Sequence, residues 1–399
     1  MSEGALSNLR VLELNRLVAA PFCTKLLAGC GAEVIKVEPP GGEPTRAMGP
    51  FKDDVPHIET GASHLFLNTG KKSITLDPTT PSGRSILLRL IQDSDVLVTD
   101  LEPKALDELR LDYPTLEKIN PRLVMTAISF FGQTGPYRDY LANELTGFAM
   151  SSYLFITGHP DREPVKTAGN AGQYRGGVQA AVGTMGAVLC QLQTGIGQLV
   201  DTSITESLCF ETGSVLQWLS IGHLNKREGN RIVRGTPAGS YPATTLPCKD
   251  GWVHVHSAAG RFELISLLME EPRLADPEIV AEQFGHADLI DELCLPWLSR
   301  HSKFEIVQRG QELRLPFMEV LDIQEVLVDP QHAARGYFVE TEHPVAGMVK
   351  QVGAPLQASE TPWETRRPPL LGEHNQEIYC GRLGYTSQDL VLLRERGVI

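Results

Sequence analysis

Leu9 to Glu38 reads LRVLELNRLVAAPFCTKLLAGCGAEVIKVE, and the order of elements in this stretch decides the fold class. Val11 to Leu14 is a short, mostly apolar run of strand length. Pro21 to Gly29 has proline at its start and glycine at its end, the punctuation of a helix. Glu33 to Glu38 (EVIKVE) reads as the next strand. A strand, a helix and a strand packed this closely imply a parallel crossover. The same rhythm continues outward. Ser73 to Asp77 is a third strand, followed by a helix over 81–93. Strands follow over 95–98 and 123–129, the second preceded by a short helical segment at 115–120. The expectation is an α/β protein with a mostly parallel, doubly wound sheet. Such sheets bind ligands beyond the carboxyl ends of their strands. Candidate functional segments are therefore 15–20, 39–46, 99–103 and 130–144.

Beyond these strands, Gly176 to Leu192 is nearly apolar but rich in Gly and Ala and contains Gln179 and Gln191. It reads as a buried helix in close contact with its neighbours, not as a membrane span. Residues 225–236 have a linker's composition. A strand at 252–256 (WVHVH) and helical segments near 260–270 and 303–313 suggest a smaller mixed domain ending near 325. Strands at 337–341 and 349–352 and helices at 375–383 and 387–396 close the chain. The expected domains are 1–224, 225–325 and 326–399, the last completing the first.

Composition narrows the chemistry. The formal net charge of −13 gives no global basic field for nucleic acid or anionic membrane. The seven cysteines are scattered, with no C-x-x-C pair, so a disulfide framework or structural zinc site is not expected. The first residues lack the basic and apolar regions of a signal peptide. A cytoplasmic protein is the expectation.

Familiar motifs fail. No G-x-G-x-x-G follows the first strand; Gly29-Cys30-Gly31 comes after the helix and suits its cap. Gly70-Lys71-Lys72-Ser73 resembles the end of a P-loop, but Leu65 stands where the leading glycine is required. There is no G-x-S-x-G and no H-E-x-x-H. His254 and His256 alternate on one strand, a pairing without further ligands, so no metal site is assigned.

Several ordered segments resemble one family. They include Leu9 to Glu38, Asn68 to Asp77 (NTGKKSITLD), Ile119 to Leu123 (INPRL), Gly132 to Tyr137 (GQTGPY) and Thr194 to Gln198 (TGIGQ). Val326 to Gly336, Glu342-His343-Pro344 and Leu370 to His374 (LLGEH) extend the match almost to the end. Together they resemble class III CoA-transferases, the CaiB/BaiF family. The resemblance implies a large Rossmann-like domain built from both chain ends, an inserted smaller α+β domain, and an interlocked homodimer. It implies coenzyme A or an acyl-CoA as substrate, a carboxylic acid as partner, and no metal.

In that family an aspartate attacks the thioester, because a carboxylate is a nucleophile at neutral pH without a separate base. Matching on Gly177, Ala180 and Ala181 puts Gln173 at this position. No carboxylate lies between Glu163 and Asp201 to replace it. The family's racemase branch uses a His–acid pair, matched here by Asn143 and Glu144. Glu144 is the retained carboxylate, as general base or nucleophile, or else as an acid favouring a helix N-terminus.

The positions matched to CoA contacts are Val18, Ala19, Asn68, Lys71, Lys72, Asp100 and Leu101. Lys71 and Lys72 are candidate phosphate partners. Pro39 replaces a frequent basic residue, and Asp100 with Glu102 would repel phosphates unless they point away. The expectation is CoA transfer between carboxylic acids without the usual aspartyl intermediate. Alternatives are an acyl-CoA isomerase, lyase or hydrolase, or a CoA-binding homologue without catalysis.

Overall fold

The computed structural model describes residues 4–231, 241–257 and 261–399. The chain divides into two compact units. One comprises Met1–Ser151, Thr167–Thr212 and Pro330–Ile399; the other Ser152–Lys166 and Gly213–Asp329. The divisions fall at 212/213 and 329/330, whereas the sequence reading put them at 224/225 and 325/326. The stretch 152–166, read as part of the first domain, clusters with the second unit. Linker residues 232–236 and position 260 lie outside the described residues.

The first unit is built on six parallel strands: β1 (Arg10–Leu14), β2 (Glu33–Glu38), β3 (Lys72–Thr75), β4 (Val96–Thr99), β5 (Val124–Ser129) and β6 (Gln198–Ser203). Their order is β3-β2-β1-β4-β5-β6. This is the doubly wound order, and it reverses direction between β1 and β4. β6 was not read from sequence. Gln198-Leu199-Val200-Asp201 is a mixed, largely exposed edge without the apolar run of the inner strands. The core holds Leu12, Leu14, Ile35, Ile74, Leu97 and Met125, among others. Ile378, Tyr379, Val398 and Ile399 join it from the chain's end. That end closes the β3 edge: His374 N–H donates to Ser73 O at 2.9 Å and Tyr379 O–H to Thr75 O at 2.6 Å.

The apolar segment read as 176–192 is a helix over Ala171–Thr194. It packs on the Ala19–Gly29 helix and on β5 and β6. A Cβ on Gly177 would stand 2.8 Å from Ala19 O, and one on Gly176 2.8 Å from Ile204 Cγ1. The small residues therefore serve close backbone approach, as expected. The helix is long, but no helix among the described residues is both long and apolar enough to cross a membrane.

The second unit holds an antiparallel sheet of β7 (Ala243–Cys248), β8 (Gly251–His256) and β9 (Met318–Glu319). It has its own core around Trp297, Phe317, Val253 and Ile306. The His254 and His256 rings lie 5.8 Å apart. Among the described residues no group of three or more His, Cys, Asp or Glu side chains is placed to hold a metal. A two-stranded hairpin of β10 (Phe338–His343) and β11 (Gly347–Val352) belongs to the first unit.

A buried charge cluster ties β1, β2 and the first helix together. Glu13 and Lys36 are cross-strand partners and both are fully buried, 2.9 Å apart. Glu13 also receives Lys71 Nζ at 2.8 Å and Thr24 Oγ1 at 2.5 Å. Burial alone would push the Glu13 carboxyl up; Lys36 and Lys71 outweigh it and hold it at about 2. Because the folded value lies below the unfolded one, this stabilisation is present above about pH 4.5. It is lost as pH falls toward 2. Glu13→Gln removes the carboxylate paired with Lys71 and leaves Lys36 to Glu43, 3.3 Å away, and is expected to cost about 3–5 kcal/mol at neutral pH. Urea unfolding at pH 7 checks this, and the gap to wild type should narrow at pH 3.

Candidate active site at the carboxyl edge of the sheet

The reversal of strand order opens a crevice beyond the ends of β1 and β4. The turn after β1 enters it and leads into the Ala19–Gly29 helix. That helix has no side-chain cap from Val18. Its N–H groups are satisfied from elsewhere. Asp100, just after β4, accepts Arg16 N–H at 2.7 Å and Leu17 N–H at 3.1 Å on one oxygen. Its other oxygen accepts Ala20 N–H at 3.1 Å. Between them, Val18 N–H donates to Gln173 Oε1 at 3.1 Å. Because Val18 offers a donor, the Gln173 atom facing it is the oxygen. Gln173 is only 6% exposed. Among the described residues, its amide nitrogen makes no hydrogen bond.

Glu144 meets the same place from a third element. It begins the Glu144–Met150 helix, but its carboxylate crosses to the first turn of the Ala171–Thr194 helix. Oε1 accepts Gly172 N–H at 2.6 Å and Oε2 accepts Gln173 N–H at 3.3 Å. The expected role of Glu144 at a helix N-terminus is therefore realised on a helix other than its own. The sequence reading did not include Tyr174. Its ring packs on Phe22 at 4.8 Å and edge-on to Phe66 at 6.0 Å. Burial, with the Glu144 charge, raises its hydroxyl and keeps it protonated. An aromatic next to the aligned position, on a helix expected to be buried, was the available signal.

Gln173, Glu144, Val18 and Ala19 are thus gathered into one place. The other matched positions have different tasks. Lys71 is buried and spends its three donors on Glu13, Pro21 O at 2.8 Å and Asn68 Oδ1 at 3.0 Å, leaving none for a phosphate. Asn68 is buried and shared with His64. Lys72 starts β3, at the opposite edge of the sheet, and is held by Glu33 at 2.7 Å and Glu377 at 2.6 Å. Leu101 packs against the core, and its N–H donates to Thr99 Oγ1. Asn143 caps its own helix, accepting Thr146 N–H at 3.1 Å. Asp100 turns both oxygens to backbone N–H groups, so it faces no phosphate.

A cavity of about 360 Å³ lies beside the turn, beyond the ends of β4 and β5. Leu17, Asp100, Ser129, Phe131, Arg138 and Ile204 are among its lining residues. Its walls reach Leu17 and Ala142, one residue before Val18 and two before Glu144. Ser129 Oγ is buried without a partner. Arg138 is held by Asp107 at 2.6 Å.

The CoA-transferase family III profile matches residues 6–375. This chain belongs to CoA-transferase family III. It is similar to succinyl-CoA–D-citramalate CoA-transferase of Chloroflexus aurantiacus, with 34% identity over 99% of this chain and 98% of the relative. It shares 33% identity with formyl-CoA:oxalate CoA-transferase of Streptomyces coelicolor, across 100% of both chains. Its fold matches a CaiB/BaiF family protein from Brucella suis with a TM-score of 0.85 and 27% identity, over 96% of this chain and 100% of that one. As a family III enzyme, the chain acts on CoA thioesters.

Glu144→Gln keeps one acceptor oxygen and turns the other into a donor against an N–H group. It is expected to cost about 1.5–3 kcal/mol. Thermal unfolding and faster amide exchange at Gly172 and Gln173 would show it.

Proposed function

We propose that this chain binds an acyl-CoA beyond the carboxyl ends of β1, β4 and β5, and transfers CoA to a second carboxylic acid without an acyl intermediate on residue 173. The observation that carries this reading is the Gln173 side chain. Its oxygen is fixed by Val18 N–H, while its amide nitrogen keeps donors for a ligand. An amide does not ionise near neutral pH and cannot form the anhydride that a carboxylate forms. It can donate to a carbonyl oxygen that becomes anionic. Glu144, with both oxygens occupied by backbone N–H groups, anchors the first turn of the Ala171–Thr194 helix.

The transfer then runs between two bound substrates. The acceptor carboxylate attacks the thioester carbonyl carbon; a C–O bond forms, the C–S bond breaks, and CoA leaves as thiolate. The product is a mixed anhydride of the two acids. The thiolate next attacks the acceptor's carbonyl carbon; a C–S bond forms, the anhydride C–O bond breaks, and the donor acid leaves as carboxylate. No net proton is consumed. At each addition Gln173 donates to the developing oxyanion.

The reading includes a cytoplasmic homodimer with neither nucleic acid nor membrane as partner. Val178, Val182, Leu189 and Leu192 are 42%, 65%, 58% and 70% exposed, and their spacing puts them on one side of the long helix. An apolar stripe of this kind supports cover by a second copy.

Initial rates with varied acyl-CoA and varied free acid test the route. Intersecting double-reciprocal lines and no hydroxylamine-trapped acyl adduct are expected. Gln173→Ala should lower kcat about a hundredfold or more. Parallel lines with an adduct mapped to Glu144 would sink the proposal. An altered acyl group without CoA exchange would instead identify an isomerase, lyase or hydrolase. Light scattering checks the dimer, with Val182→Asp expected to weaken it.

A further inference from the structure

We infer that Asp100 is a positioning residue for the reaction, acting through the Val18 N–H that orients Gln173. The inference rests on the function proposed above. Its basis is the arrangement of the turn after β1. Asp100 accepts the N–H groups of Arg16 and Leu17 on one side of Val18 and of Ala20 on the other. Three of the turn's donors are thereby committed to one carboxylate. Val18 N–H is directed at Gln173 Oε1. A rotated turn would release that oxygen, and the amide could then present either its donor or its acceptor to a carbonyl. Fixing the turn fixes which end faces the ligand.

A carboxylate suits this task better than an amide. It offers acceptors on both oxygens, and hydrogen bonds to an ionised group are the stronger kind. An amide at this position would set a donor against backbone donors. Asp100 also lines the cavity beside the turn, so the same residue shapes the ligand's approach.

The arrangement makes the turn sensitive to pH. Burial pushes the Asp100 carboxyl up to about 6, opposed by its three N–H donors and assisted by Glu13. The other charged groups around it are Arg16 and Glu102, which pair at 3.9 Å, with Lys104, Arg138 and Asp139 on the cavity wall. Ionised Asp100 holds all three donors. Protonation below about pH 6 gives one oxygen a hydrogen and weakens that hold. The folded value lies above the unfolded one, so the protonated fold gains stability over the same range in which the turn loosens.

Three measurements on the full chain test this. First, kcat of the wild type should fall below about pH 6 with KM changed less than threefold, and in Asp100→Asn this acid limb should disappear. Second, Asp100→Asn should lower kcat about 10- to 100-fold, but have little further effect in a Gln173→Ala background. Third, amide exchange at Arg16, Leu17, Val18 and Ala20 should quicken in Asp100→Asn, and in the wild type at pH 5 relative to pH 8 after correction for intrinsic rates. The wild-type comparison stands even if the variant does not fold. Unchanged protection at those amides, or additive effects of the two substitutions, would overturn the inference. Loosened amides in a wild type that transfers no CoA would instead overturn the proposed function and leave the positioning of the turn intact.

Discussion

The Glu13 carboxylate is the point on which the rest of the large unit depends. It sits at the middle of the sheet, out of water, paired across the ladder with Lys36 and reached from above by Lys71 and Thr24. Buried charges are tolerated only when every one is compensated. That condition locks β1, β2, the first helix and the 68–72 turn into one register. Lys71 then donates to Pro21 O, so the same cluster supports the first turn of the helix that leads out of the site.

From this base the site is assembled by backbone donors seeking acceptors. The helices at 19–29 and 171–194 both begin at the carboxyl edge without caps from their own side chains. Their N–H groups take acceptors from other elements: Asp100 after β4, Gln173 on the long helix, and Glu144 on a short one. Two helix starts are thus placed together, each with a carboxylate taking up its N–H groups.

In the proposed function residue 173 acts as an amide and not as a carboxylate. The side chain gives its oxygen to Val18 N–H and carries donors where a carboxylate would carry negative charge. On the proposed reading it is an oxyanion partner and not a nucleophile. On that reading the acceptor acid is the nucleophile, and both substrates must be bound at once.

The sequence alone determined the α/β class and the parallel crossovers. Strand and helix periodicities are local, and the family's motifs run through most of the chain. It did not determine the roles of Lys71, Lys72, Asp100 and Asn143. A lysine beside a glycine turn looks the same whether its ammonium meets a phosphate or a buried glutamate. Only the strand order β3-β2-β1 brings Lys71, just before β3, to 2.8 Å from Glu13 on β1. Only the adjacency of β1 and β4 puts the Asp100 oxygens over the N–H groups of a turn 80 or more residues earlier. Partners that distant in the chain are set by strand order, and strand order is settled by the burial and hydrogen bonding of the whole sheet.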